Sequence, residues 1–155
     1  MAATNPMLLA TTLLSPILRL NQSLPNNPSV IGYLGTDSEI LIAKYSDEPG
    51  KSIVGFSLDK EVNTGGCGPR VFFKSVLSKG TSECDAEAVE SFRYVFMKNR
   101  DSGTWSNGNK EIFYFIGSDK STVFLVEEGA GNKTYKIESN FLSKKGIKEI
   151  FSSHL

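Results

Sequence analysis

Histidine, cysteine and local charge are the scarce commodities in this chain. There is one histidine and there are two cysteines in 155 residues. That excludes a zinc site built on the usual histidine and cysteine sets within the chain. It also argues against a serine–histidine or cysteine–histidine hydrolase, and the histidine present, His154, is penultimate. A fraying terminus is a poor place to hold a general base within hydrogen-bond reach. No metal and no cofactor is expected. Net charge is absent too, because 17 basic residues cancel 17 acidic ones. A wholesale electrostatic grip on nucleic acid or anionic lipid is thereby excluded.

Charge is missing most conspicuously at the start. From Met1 to Thr36 the only charged side chain is Arg19, and the first acid is Asp37. This arm carries Leu8, Leu9, Leu13, Leu14, Ile17 and Leu18. Such a stretch exposed to water promotes aggregation, so it has to be buried, inserted or removed. Asn5 as N-cap and Pro6 at the first helical position predict a helix, which Pro16 would break or kink. Removal as a targeting peptide is the second reading, although the cationic n-region or the several arginines of such peptides are missing. A membrane anchor is the third, and residues 7–20 fall short of the roughly 20 that a span requires. The prolines and asparagines of residues 24–28 then read as a linker. We therefore divide the chain into an apolar arm and linker, 1–28, and one α+β domain, 29–155.

What is plentiful is ordinary globular material, 39% hydrophobic and 22% charged. Residues 30–34 and 39–45 predict a hairpin in which Ile40, Leu41, Ile42 and Ala43 form a buried strand. Residues 52–58 alternate as a half-exposed strand. Residues 70–77, rich in Val and Phe, predict another strand. Residues 82–99 predict the central helix, with Ser82 and Asp85 approximating a capping box. Its apolar face would hold Cys84, Ala88, Val89, Phe92, Val95 and Phe96. Residues 102–109 read as a loop around Trp105. Strands at 111–116, 122–127 and 133–138 predict an antiparallel meander, and Ser143 caps a closing helix that buries Ile147, Ile150 and Phe151.

The fold expected is α+β, a mainly antiparallel sheet with N-terminal, central and C-terminal helices. In element order it loosely resembles the roadblock, longin and profilin-like group. The two strands before the central helix depart from that pattern, and no diagnostic motif accompanies it.

The most distinctive string runs from Thr64 through Gly65, Gly66, Cys67, Gly68 and Pro69 to Arg70. Glycines let backbone N–H groups converge on an anion, and Arg70 can grip phosphate or carboxylate with two donors. Cys67 would be a nucleophile if a cation lowered its pKa. The string lacks the lysine-bearing end of a Walker loop. As a plain connector it needs only positive φ angles. A Cys67–Cys84 disulfide is the other use of the two cysteines. Carboxylate neighbours Asp47–Glu48 and Glu127–Glu128 read as solvated turns. The glycosylation acceptors at Asn21 and Asn132 are common enough to arise by chance.

Lys133, Lys136, Lys144, Lys145 and Lys148 concentrate positive charge late in the chain. Glu83, Asp85, Glu87 and Glu90 make the central helix acidic. This polarity can orient a partner or a second copy. The expected function is a non-catalytic protein-interaction or assembly domain, self-associating through the arm (Leu8, Leu9, Leu13, Leu14, Ile17, Leu18), with Lys144, Lys145 and Lys148 orienting the contact. The alternatives are a small-ligand carrier and a thiol-dependent enzyme using Cys67. The expected partner is a protein or the chain itself, not nucleic acid or membrane. The cytoplasm is the favoured compartment, with organelle targeting by the arm as the alternative.

Overall fold

A computed structural model describes residues 24–25, 28, 30–35, 39–45, 51–58, 66–78, 83–107, 110–127 and 134–153. The predicted N-terminal helix and His154 lie outside them. Seven strands form one antiparallel sheet: β1 (Val30–Gly35), β2 (Glu39–Lys44), β3 (Ser52–Leu58), β4 (Asp101–Asn107), β5 (Lys110–Ile116), β6 (Ser121–Glu127) and β7 (Thr134–Ser139). Their spatial order is β1-β2-β3-β7-β6-β5-β4. After β3 the chain leaves the sheet for α1 (Pro69–Leu77) and α2 (Ala86–Phe96). It re-enters at the far edge and meanders back until β7 closes on β3. A final helix, α3 (Lys144–Ser153), follows.

Strand alternation sorts the side chains onto two faces. Phe113, Phe115, Phe124 and Val126 face one way and pack against Phe72, Phe73 and Val76 of α1 and Val89 of α2. Ile112, Tyr114, Val123, Leu125, Tyr135 and Ile137 face the other way and pack against Ile147, Ile150 and Phe151 of α3. Among the described residues, the sheet is therefore covered by two helices on one side and one on the other. Leu24, within the predicted linker, packs on the α3 side.

Several expectations need correcting. Residues 70–77 are not a strand. Pro69 occupies the first turn of α1, and the buried positions Phe72, Phe73 and Val76 recur as on a helix face. α2 starts at Ala86, later than predicted, and its N-cap is Asp85, whose side chain accepts from Ala88 N at 3.3 Å. Cys84 is buried but precedes the helix, and Val95 points outward and is exposed. Asn99, at φ 57°, turns the chain from α2 into β4. Asparagine adopts this left-handed conformation more readily than most residues. The region around Trp105 is not a loop but edge strand β4, whose polar sequence suits an edge. In β2, Leu41 and Ala43 are fully buried, whereas Ile40 and Ile42 are 38% and 39% exposed. Among the described residues, α1 and α2 pack against β5 and β6 of their face, away from these two isoleucines. The closing helix follows expectation, with Ser143 Oγ accepting from Gly146 N at 3.2 Å.

The two helices on one face are tied together by Arg93. Its Nε donates to Val76 O at 2.9 Å and its Nη2 donates to Ser75 O at 2.8 Å and to Ser78 O. A guanidinium from α2 thus satisfies carbonyls at the C-terminal end of α1 that the helix itself leaves open.

On the other face, Gly103 of β4 stands opposite Tyr114 of β5. A Cβ at 103 would lie 2.3 Å from the Tyr114 hydroxyl oxygen and 2.6 Å from its ring carbon. The ring has little room to yield, since Trp105 stacks on it at 4.3 Å and Lys144 Nζ sits 4.8 Å from its centroid. Gly103→Ala is expected to cost about 1–3 kcal/mol through overpacking. Urea denaturation checks this, and an unchanged midpoint would mean that the ring moves freely.

Candidate functional site

The glycine–cysteine string becomes the entry to α1. Gly65 lies outside the described residues. Gly66 has φ +81°, Gly68 is the N-cap in extended conformation without a side-chain cap, and its carbonyl accepts from Phe72 N at 2.9 Å. The string is therefore a turn feeding a helix start, where backbone N–H groups point outward.

Two bonds then engage its chemical groups. Cys67 is joined to Cys84 in a disulfide with Cα atoms 5.2 Å apart, and no described cysteine is free. The thiolate reading of Cys67 thus requires prior reduction. Arg70 turns toward β5: its Nε donates to Glu111 Oε2 at 2.9 Å and its Nη2 to Glu111 Oε1 at 3.2 Å. Lys74 Nζ is 3.4 Å from the same carboxylate. Any anion seeking Arg70 has to compete with a two-pronged internal partner that is mostly buried. The loop, the α1 start and the sheet are therefore clamped by one covalent and one ionic link. Sequence reasoning missed Glu111, because nothing in its spacing announces a partner 41 residues away.

The predicted interface lysines do gather. Lys144, Lys145 and Lys148 share the exposed side of α3. Lys144 Nζ lies 2.8 Å from Asp101 Oδ2, and Lys148 Nζ sits 5.9 Å from the Trp105 centroid. Hydrogen bonds to Asp101 and then to Tyr114 hold the Lys144 ammonium above its ordinary pKa. Glu83, Asp85, Glu87 and Glu90 are exposed on the opposite side of the sheet, at and before α2. The polarity read along the chain does not carry over whole, since Lys136 lies on the α2 side, over Phe96. The leucines and isoleucine of the arm, Leu8 to Leu18, lie outside the described residues.

Between these groups, on the α1–α2 face, Glu138 accepts from Lys136 at 2.8 Å and from Lys120 at 3.1 Å. Burial by itself would raise the Glu138 pKa, but these two hydrogen bonds and charges bring it below the ordinary 4.5. A carboxylate depressed in the folded state stabilises above its unfolded pKa, and that contribution fades as pH falls from 4.5 through the folded value. Glu138→Gln is expected to lower stability at neutral pH and to flatten this part of the acid limb. Urea midpoints measured across that range test it. A parallel downward shift at every pH would assign the loss to packing instead.

The phenylalanines imagined as a stacking platform are interior. Phe73 stacks on Phe113 and Phe124 with centroids 5.2 and 4.7 Å apart, and Phe92 meets Phe115 and Phe124 at 5.6 and 5.4 Å. Helix rings thus occupy the space over the strand rings. Among the described residues no three His, Cys, Asp or Glu side chains come together as a metal-ligand group. No described helix is long and apolar enough to cross a membrane.

What is left uncovered is apolar and lies at the other end of the sheet. Ile40 and Ile42 of β2, on the α1–α2 face, are 38% and 39% exposed, and Ile31 of β1, opposite Ala43 and so on the other face, is 49% exposed. Sequence reasoning missed them because a run of apolar residues does not reveal which face will lack a covering helix. No protein family, curated protein or solved structure matches this chain.

Proposed function

We propose that this chain is a non-catalytic protein-interaction or assembly domain, with residues 1–28 as an apolar arm and linker attached to the body formed by 29–155. The observation that carries this reading is the exposed pair Ile40 and Ile42 on one face of β2, together with an arm almost devoid of charge. Exposed apolar clusters are the usual mark of a surface that meets another surface. The engagement of Cys67 in a disulfide and of Arg70 by Glu111 supports the same reading over the thiol enzyme. The ring packing between helices and strands supports it over the ligand carrier, which needs an open apolar cavity. The analogy of element order with the roadblock, longin and profilin-like group carries no functional weight.

Light scattering on the full chain over a concentration series tests self-association. The double variant Leu9→Lys/Leu13→Lys tests the arm. Association that weakens in the variant supports assembly through the arm, with Lys144, Lys145 and Lys148 orienting the contact. A chain that is monomeric throughout defeats self-association and leaves a separate protein partner.

A further inference from the structure

We propose that Arg100, Lys120 and Lys136 form an anion site that takes a phosphoryl group, where the chain leaving α2 crosses the β5–β6 turn. The inference stands apart from the assembly reading. It starts from Arg100. Arg70 is gripped by Glu111, and Arg93 donates to the carbonyls of Ser75, Val76 and Ser78. Arg100 is half-buried as well, yet among the described residues its Nη1 is shut off from solvent without any hydrogen-bond partner. An unpaired buried donor is costly, more so on a charged group, and native folds leave few of them. The missing acceptor is what points to a ligand.

The surroundings are cationic. Arg100 Cζ and Lys136 Nζ lie 6.0 and 5.4 Å from the centroid of the Phe96 ring. Phe92 stacks on one face of that ring at 4.4 Å, which leaves the other face to both cations. Gly117 opens the β5–β6 turn, and its N donates to Lys120 O at 3.2 Å. A Cβ at 117 would lie 2.8 Å from Lys120 O, 3.2 Å from Arg100 Cγ and 3.4 Å from Arg100 Nε. Arg100 therefore lies against the turn that carries Lys120, in room that a missing side chain provides. Lys120 and Lys136 both reach Glu138, at 3.1 and 2.8 Å. One carboxylate there faces two ammonium groups and a guanidinium. Counting exposed Asp119 of the same turn still leaves the group positive.

A phosphoryl group fits this arrangement better than a carboxylate. The cations come from the α2–β4 link, the β5–β6 turn and β7, so they approach from different sides. A planar carboxylate presents two oxygens in one plane, which the fork of Arg100 alone can occupy. A tetrahedral phosphoryl group has oxygens left over for the two ammonium groups. Its extra negative charge also offsets positive charge that Glu138 leaves uncompensated.

The test uses the full chain at constant ionic strength, followed by proton–nitrogen NMR correlation spectra as inorganic phosphate is added. Saturable shifts at Arg100, Gly117, Lys120 and Lys136 are expected. Arg100→Gln is expected to weaken phosphate binding by about tenfold or more. Glu138→Gln is expected to strengthen it, since the competing carboxylate is gone. O-phosphoserine is titrated beside inorganic phosphate. Tighter binding of the ester supports the site with a phosphate ester as its source, and tighter binding of the ion supports it with free phosphate as its source. Acetate that binds as tightly as phosphate overturns the phosphoryl assignment. Absence of saturable shifts at these residues overturns the site, as does a folded Arg100→Gln that binds phosphate like the wild type. Should Arg100→Gln fail to fold, Arg100→Lys keeps the charge and removes the fork, and unchanged affinity in that variant overturns the proposal.

Discussion

Truncation of Phe73 to alanine is expected to remove about 3–5 kcal/mol of stability. The side chain is fully buried, and its ring contacts those of Phe72, Phe92, Phe113 and Phe124. It therefore links α1, α2, β5 and β6 at one point. Losing it forfeits the transfer energy of a phenyl group and opens a cavity that four surrounding rings cannot collapse into without leaving their rotamers. Domains hold only about 5–15 kcal/mol in total, so the variant should be partly unfolded at ordinary temperature. Phe73→Leu retains most of the volume and should lose less. Chemical denaturation of the three proteins measures the series. Equal losses for alanine and leucine would show that ring stacking, rather than filled volume, dominates at this site.

Reduction of the Cys67–Cys84 bond is expected to cost about 3 kcal/mol, the size of effect associated with a closed loop of this length. The two residues are 17 apart in sequence, and the bond ties the entry of α1 to the segment just before α2. The native, non-reduced chain should take up no iodoacetamide, and a reductant should lower the urea midpoint. Cys67→Ser/Cys84→Ser should reproduce the reduced midpoint and become insensitive to reductant. Labelling of the untreated chain at Cys67 would show a free thiol and revive the enzyme alternative. A bond of this kind persists most readily in oxidising compartments.

Legibility in the sequence followed the range of the forces involved. Turn chemistry and alternation are local, and they located β1, β2, β3, β5, β6 and β7 to within a residue or two. Pro69 was read as part of the glycine-rich connector, and the Val and Phe content of the next residues matched a strand by composition. Their spacing, with Phe72, Phe73 and Val76 on one face, was the better guide. β4 failed for the opposite reason. Its Asp, Ser, Gly, Thr and Asn residues have little strand preference of their own, and pairing with β5 imposes the extended form. Cys84 was correctly expected to be buried, yet the pairing that buries it is a contact across 17 residues.

The sequence by itself determined the α+β class, the meander, the closing helix and the charge-poor arm, because each is a matter of neighbours along the chain. Only the tertiary structure decided which strand lies at which end of the sheet and which face each helix covers. It also decided that Arg70 faces Glu111 rather than open solvent. The physical reason is that a period-2 pattern says a strand has two faces, while covering them depends on elements that the crossover through α1 and α2 brings in from elsewhere. That crossover shields Phe113, Phe115 and Phe124 and leaves Ile40 and Ile42 at the surface, although all five are apolar residues in strands.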